Sequence, residues 1–148
     1  MSGPYYIYSR QSTPSQSLWM GVLASRTDHF QVVEQNVAAP NSQQWALEPL
    51  VGSIPQHYVI RQQTTGLAVT FPASVSGKGD NIILTEFNPL NPQQVVFLES
   101  TGQGYVAVLN ATTGLILNVD HALTANDTPI IAWTWDGGLN SQWMIAPI

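Results

Sequence analysis

The chain has 148 residues, four Lys and Arg against nine Asp and Glu, a formal charge of −5 and no cysteine. Four cations cannot track a phosphate backbone, which excludes a nucleic-acid partner, and the missing thiols exclude disulfides, thiolate nucleophiles and thiolate metal sites. With 44% hydrophobic residues and enough length for one core, a single folded domain over 1–148 is expected.

The first segment, Met1-Ser2-Gly3-Pro4-Tyr5-Tyr6-Ile7-Tyr8, has neither a basic leader nor an apolar run of signal length, and no stretch approaches a membrane span. The expectation is a cytoplasmic protein, in keeping with a cysteine-free chain, with no membrane insertion and with non-classical release as its route outside. Short apolar runs then follow one another. In the first third they begin near Tyr5, Leu18, Phe30 and Gln44. In the second they begin near His57, Leu67, Asn81 and Val95, and in the last near Tyr105, Leu115, Pro129 and Gln142. They are rich in Val, Ile, Tyr and Trp and are separated by Gly, Pro, Asn and Ser, which is the pattern of strands and turns. Ten Pro and 11 Gly leave little room for long helices.

The runs form three copies. Leu18, Leu67 and Leu115 recur about 49 residues apart, the last two after Thr-Thr-Gly. Gln43-Gln44-Trp45, Gln93-Gln94-Val95-Val96 and Ser141-Gln142-Trp143 close the copies, which cover approximately 5–50, 57–100 and 105–148. Three units are too few for a propeller, and no polar caps mark a solenoid. Twelve strands in three equivalent units point to an all-β closed barrel, with Leu18, Leu67, Leu115, Trp45, Val96 and Trp143 meeting in its core. Gln43 and Gln142 are expected to tie strand ends through backbone hydrogen bonds.

Three repeats closing in Gln-x-Trp or a relative of it resemble the ricin B-type β-trefoil lectins. The cysteine-free, weakly acidic form is most similar to the small mushroom lectins of that family. The likeness is strongest in the third copy: Gly114-Leu115-Ile116-Leu117-Asn118-Val119, Asp127-Thr128-Pro129-Ile130-Ile131-Ala132-Trp133 and Asn140-Ser141-Gln142-Trp143. It implies a non-catalytic agglutinin that binds terminal galactose or N-acetylgalactosamine on glycoproteins or glycolipids, needs no cofactor or metal, and gains avidity from several sites or from a homodimer.

A sugar offers hydroxyls on one edge and a C–H patch on a face, so a site needs an amide or carboxylate beside an aromatic ring. The resemblance puts Asn118 at the hydroxyl-binding acid, Trp133 at the stacking ring and Asn140 at a second amide. Asn118 replaces the usual Asp and forfeits a charge-assisted bond. Asp120 and His121 can share its role, and Trp135 competes with Trp133 as the ring. In the first repeat Gly21 and Gln35 stand at the acid and aromatic positions, with Asp28, His29, Asn36 and Asn41 as local substitutes. In the second repeat Thr70 and Thr85 stand there, with Asp80, Asn81, Phe87 and Asn91 nearby. The third site ranks first.

Plainer readings compete. Trp133 lies on an apolar run and suits a core as well as a sugar. His29, His57 and His121 have no metal-ligand spacing. Asp120, Asp127 and Asp136 read as turn acids rather than a glycosidase pair. Asn110-Ala-Thr and Asn126-Asp-Thr match the glycosylation pattern, but turn roles explain both. The competing function is a β-trefoil proteinase inhibitor acting through Val51-Gly52-Ser53-Ile54-Pro55 and Phe71-Pro72-Ala73-Ser74-Val75. A scaffold whose sugar sites have decayed is a third reading.

Overall fold

In the computed structural model, residues 3–23, 30–36, 38, 40–50 and 57–148 are described. Twelve strands lie within two residues of the expected starts: β1 Tyr5–Ser9, β2 Trp19–Val22, β3 Phe30–Gln35, β4 Trp45–Pro49, β5 His57–Gln62, β6 Ala68–Thr70, β7 Ile83–Thr85, β8 Val96–Gly102, β9 Tyr105–Asn110, β10 Ile116–Val119, β11 Thr128–Trp133 and β12 Trp143–Pro147. The one α-helix among the described residues, α1 (Pro40–Gln43), is a single turn.

Six strands close a ring. β1 pairs β12 and β4, β5 pairs β4 and β8, and β9 pairs β8 and β12, all antiparallel. Closure leaves no unpaired edge in the barrel. The hairpins β2–β3, β6–β7 and β10–β11 form a cap. β3 pairs both β7 and β11, and a bridge from Asn81 to Ile131 completes a triangle. The amide of Val32 donates to Ile82 O and that of Ile82 to Ile130 O, each at 2.9 Å, so one residue from every repeat meets near the pseudo-threefold axis. The architecture is the β-trefoil.

The repeated Thr-Thr-Gly-Leu has a local cause. Gly66 and Gly114 both take φ +72, a left-handed conformation that costs glycine least, and their amides donate back to Gln62 O and Asn110 O at 2.8 and 2.9 Å. The chain then turns inward at the leucine, whose carbonyl accepts from Gln62 or Asn110; Leu18 O accepts from Ser9 in the same way. Asn110 is buried. Its side chain accepts from Thr113 and donates to Pro92 O and Val95 O, so it has a structural post and no free amide.

The core carries the same symmetry. Ile7, Ile60 and Val108 line the barrel; Met20, Val69 and Leu117 line the cap; Trp45, Val96 and Trp143 fill three equivalent corners. Each fully buried aliphatic side chain contributes about 1.5–3 kcal/mol of transfer free energy. The indoles of Trp45 and Trp143 donate to Met20 O at 2.9 Å and Leu117 O at 3.2 Å, so both polar tips are satisfied inside. Leu67 departs from the expected set: it is only partly buried and packs against the core rather than within it. Of the inhibitor loops, 51–55 lie outside the described residues. Phe71 of the other is buried in the core, so only 72–75 face outward.

Candidate functional site

The register of the cap hairpins decides which residues are equivalent. Gly21 lies opposite Val33, Thr70 opposite Ile83 and Asn118 opposite Ile131. Two residues along, Gln35, Thr85 and Trp133 oppose Trp19, Ala68 and Ile116. One strand pair thus sets one polar group and one larger side chain side by side in each repeat. The residues two before the corners Trp45, Val96 and Trp143 approach from below: Gln43, Gln94 and Ser141. Ser141, not Gln142, is therefore the partner of Gln43.

In the first two repeats these groups satisfy one another. Gln35 accepts from Gln43 Nε2 at 2.9 Å and donates to Asp127 Oδ1 at 3.0 Å. Its amide lies where a Cβ on Gly21 would stand, which is why that position carries no side chain. Gln43 thus bonds a side chain, while Gln142 makes the expected backbone tie, to Gly137 O and Gly138 O. In the second repeat the Thr70 and Thr85 hydroxyls are 2.7 Å apart, and Gln94 Nε2 donates to both and to Glu86 O. Thr70 and Gln94 are buried. Neither place holds polar groups waiting for a ligand.

The third repeat is open. Asn118, Asp120, His121, Trp133 and Asn140 line one cleft of about 480 Å³, with Gly79, Ile131 and Asp136. Asn118 sits at its base, 4% exposed, and donates Nδ2 to Ser141 Oγ at 2.6 Å. The Asn in place of Asp matches a hydroxyl where the other repeats carry glutamine. Asn140 donates to Val119 O at 2.9 Å, which aims the amide and leaves its oxygen without a protein partner among the described residues. Asp120 Oδ1 is 2.7 Å from the exposed His121 Nδ1. His121 and Ala122 both have φ near +50, and this sharp turn swings the pair to the rim. Trp133 is half-buried at the end of β11, and Lys78 Nζ stands 4.3 Å from its ring centroid. A half-exposed indole beside two amides and two carboxylates can cover a C–H face and bond hydroxyls at once.

The other candidates separate. Trp135 does not share this cleft; it lines a groove on the far side of the 134–138 turn. Asp28 and His29 lie outside the described residues, and Asn41 is in α1 with its side chain outside that description. Asn36 bonds Asn126 Oδ1 and Thr124 O and so braces the 124–126 loop. Asp80 and Asn81 do not join the second-repeat group. The Asp80 carbonyl accepts from Ala132 N, and Asn81 bridges Ile131, so both pack against the third repeat. Phe87 and Asn91 do line a shared hollow, but Arg61 covers the Phe87 ring at 4.6 Å and Asn91 caps a short turn through Gln93 N. Gly79 and Lys78, which reach the cleft from the second repeat, carry no signal in the third repeat's own pattern. Asp136 was legible only as a turn acid. No group of three or more His, Asp or Glu among the described residues could hold a metal ion.

The fold is a β-trefoil, and its third repeat carries an open polar-aromatic cleft. Residues 91–148 match the model of the ricin-type beta-trefoil lectin domain-like family, so the third repeat and the end of the second carry the likeness to that family. No curated protein matches the chain. Among solved structures it is similar to ThreeFoil, a designed threefold symmetric protein, with TM-score 0.85 and 23% identity over 97% of this chain and 98% of that one. It is similar to the Rhizoctonia solani agglutinin, with TM-score 0.82 and 14% identity over 100% and 96%. The lectin of Polyporus squamosus, solved with the epitope Neu5Acα2-6Galβ1-4GlcNAc, gives TM-score 0.74 and 16% identity over 97% of this chain and 48% of that one. Two further similar structures are longer chains, of which this one spans 30% and 17%.

Proposed function

We propose that the chain is a carbohydrate-binding protein without catalysis, and that the third-repeat cleft takes a terminal galactose or N-acetylgalactosamine residue of a glycoprotein or glycolipid. One observation carries the reading. The polar groups at the equivalent positions of repeats one and two are spent on one another, while in repeat three Asn118, bonded to Ser141, shares an open cleft with Trp133 and Asn140. Trp133 covers the C–H face, Asn140 bonds a hydroxyl through its open oxygen, Asn118, held by Ser141, forms the polar base, and Asp120, oriented by His121, accepts from a further hydroxyl. Shallow single sites of this kind bind at about millimolar strength, near −4 kcal/mol, so useful binding depends on multivalent presentation. The similarity to an agglutinin and to a glycan-bound lectin supports the class of ligand.

The test is a glycan array read with and without free galactose, followed by calorimetry with N-acetylgalactosamine. Binding to galactose-terminated glycans that free galactose competes away, and that Trp133→Ala removes, is expected. A silent array from folded protein would end this reading.

A further inference from the structure

The barrel has a second cleft that the third-repeat site does not include. About 400 Å³ opens between the β8–β9 hairpin and the 134–138 turn, lined among others by Arg10, Glu99, Leu109, Ile116, Trp135 and Gln142. No residue lines both clefts. Trp135 is 48% exposed at its wall.

The corresponding hairpin, β4–β5, shows what makes the difference. Strand registers place Glu48 where Glu99 stands and Arg61 where Leu109 stands. At β4–β5 the Arg61 guanidinium meets Glu48 at 3.3 Å and also bonds Gly66 O, so the hollow of about 440 Å³ there has its cation and its carboxylate spent on each other and no aromatic wall among the described residues. At β8–β9 the aliphatic Leu109 removes that cation, exposes an apolar floor and leaves Glu99 without an ion-pair partner among the described residues. A different cation enters from the side. Arg10 donates to Gln142 Oε1 at 2.6 Å and Gln103 Oε1 at 2.7 Å, and its guanidinium lies 4.4 Å from the Tyr105 centroid. Three anchors fix the fork in one orientation, with N–H groups to spare.

We propose that this groove is a second, independent saccharide site, specific for a neutral sugar residue. That the ligand is a saccharide rests on the proposed function; the groove's geometry stands without it. A fixed guanidinium donates, a carboxylate accepts, and their charges cancel, which suits hydroxyls rather than an ionic group. Trp135 and Leu109, backed by the buried Ile116, supply the apolar face that the C–H side of a sugar ring needs. The size falls within the range of small-ligand clefts. With two sites on opposite sides of one turn, a monomer is bivalent and cross-links glycans without dimerising.

The five indole N–H resonances of the chain provide the test. Trp45 and Trp143, bonded inside the core, are stationary controls. Titration with lactose or with N-acetylgalactosamine is expected to move Trp133 and Trp135 along separate isotherms. Leu109→Arg, which rebuilds the ion pair already present at β4–β5, is expected to abolish the Trp135 movement and leave that of Trp133. Glu99→Gln, at an exposed site, is expected to weaken the Trp135 isotherm alone by about tenfold. If Trp133 moves and Trp135 stays, the groove is not a site and the proposed function stands. If Trp135 moves and Trp133 stays, the groove stands and the third-repeat reading falls. Both indoles moving on one isotherm that Trp133→Ala removes would overturn the second site, and movement of neither would overturn both proposals.

Discussion

At the scale of single residues, Trp133 and Glu34 show how far side-chain chemistry depends on neighbours outside the local sequence. Trp133→Ala removes the ring and the seat of the Lys78 ammonium but no core contact of Trp45 or Trp143. The expected result is loss of third-cleft sugar affinity by tenfold or more, with little change in melting temperature, read by calorimetry and thermal unfolding. Asn140→Ala should cost about 1 kcal/mol of sugar affinity, since it removes hydrogen bonds at a partly open site. Glu34 is a different case. It is 0% exposed in β3, opposite Met20 and Thr128, and neither carboxyl oxygen has a partner of hydrogen-bonding geometry among the described residues. Burial pushes its pKa up to about 7, and the nearby Ser9 hydroxyl offsets only part of that. The unfolded chain holds fewer protons than the folded one between pH 4.5 and about 7, so stability falls as pH rises through that window. Below it Glu34 adds no slope; above it the penalty is constant, on the order of 3 kcal/mol. Urea unfolding should therefore show a lower midpoint at about pH 8 than at about pH 5, and Glu34→Gln should flatten that difference. An unchanged slope in the variant would show that Glu34 is not its source.

At the scale of elements, each cap hairpin is the same device with different occupants. The polar triad of β6–β7, Thr70, Thr85 and Gln94, is closed by hydrogen bonds at 2.7 to 3.3 Å. Gln94→Ala would leave the buried Thr70 hydroxyl, the Thr85 hydroxyl and the Glu86 carbonyl short of a donor and open a void, at a cost of about 2–4 kcal/mol in chemical denaturation. It should leave sugar binding in the third cleft unchanged. The hairpins themselves were legible in the sequence, because Val- and Ile-rich runs between Thr-Thr-Gly turns have a local cause and recur at one period. The third-repeat residues were legible as well, since Asn118, Trp133 and Asn140 sit at fixed offsets along one repeat. What lay hidden was everything set by another repeat. Asp80 and Asn81 lie only five and four residues before Thr85, the second repeat's ring position, yet the cap triangle carries them to β11. The parity of Trp133 and Trp135 suggested one shared face, but β11 ends at Trp133, and the turn beyond it sends Trp135 to another groove. Glu34 was illegible for the opposite reason: a lone carboxylate among Val32, Val33 and Gln35 gives no periodic sign that its side is the buried one.

At the scale of the whole molecule, the three barrel corners link stability to the site. Trp45, Val96 and Trp143 are equivalent, and the Val shows that the fold survives one corner without an indole. Replacing either Trp by Val would nevertheless remove a large buried ring and orphan a carbonyl, Met20 O in one case and Leu117 O in the other. Each variant should lose at least about 3 kcal/mol of unfolding free energy. Their effects on sugar binding should differ. Met20 lies on β2 beside the closed first-repeat cluster, so Trp45→Val should leave the third cleft intact while the protein remains folded. Leu117 precedes Asn118 on β10, and Trp143 follows Ser141 and Gln142, which hold Asn118 and the 137–138 turn. Trp143→Val therefore loosens the base of the cleft and its rim together, and should weaken N-acetylgalactosamine binding severalfold at a temperature where both variants are folded. Calorimetry on the matched pair checks this, with equal losses of stability as the control. If both variants bind like the parent, the barrel corner and the cleft are energetically separate.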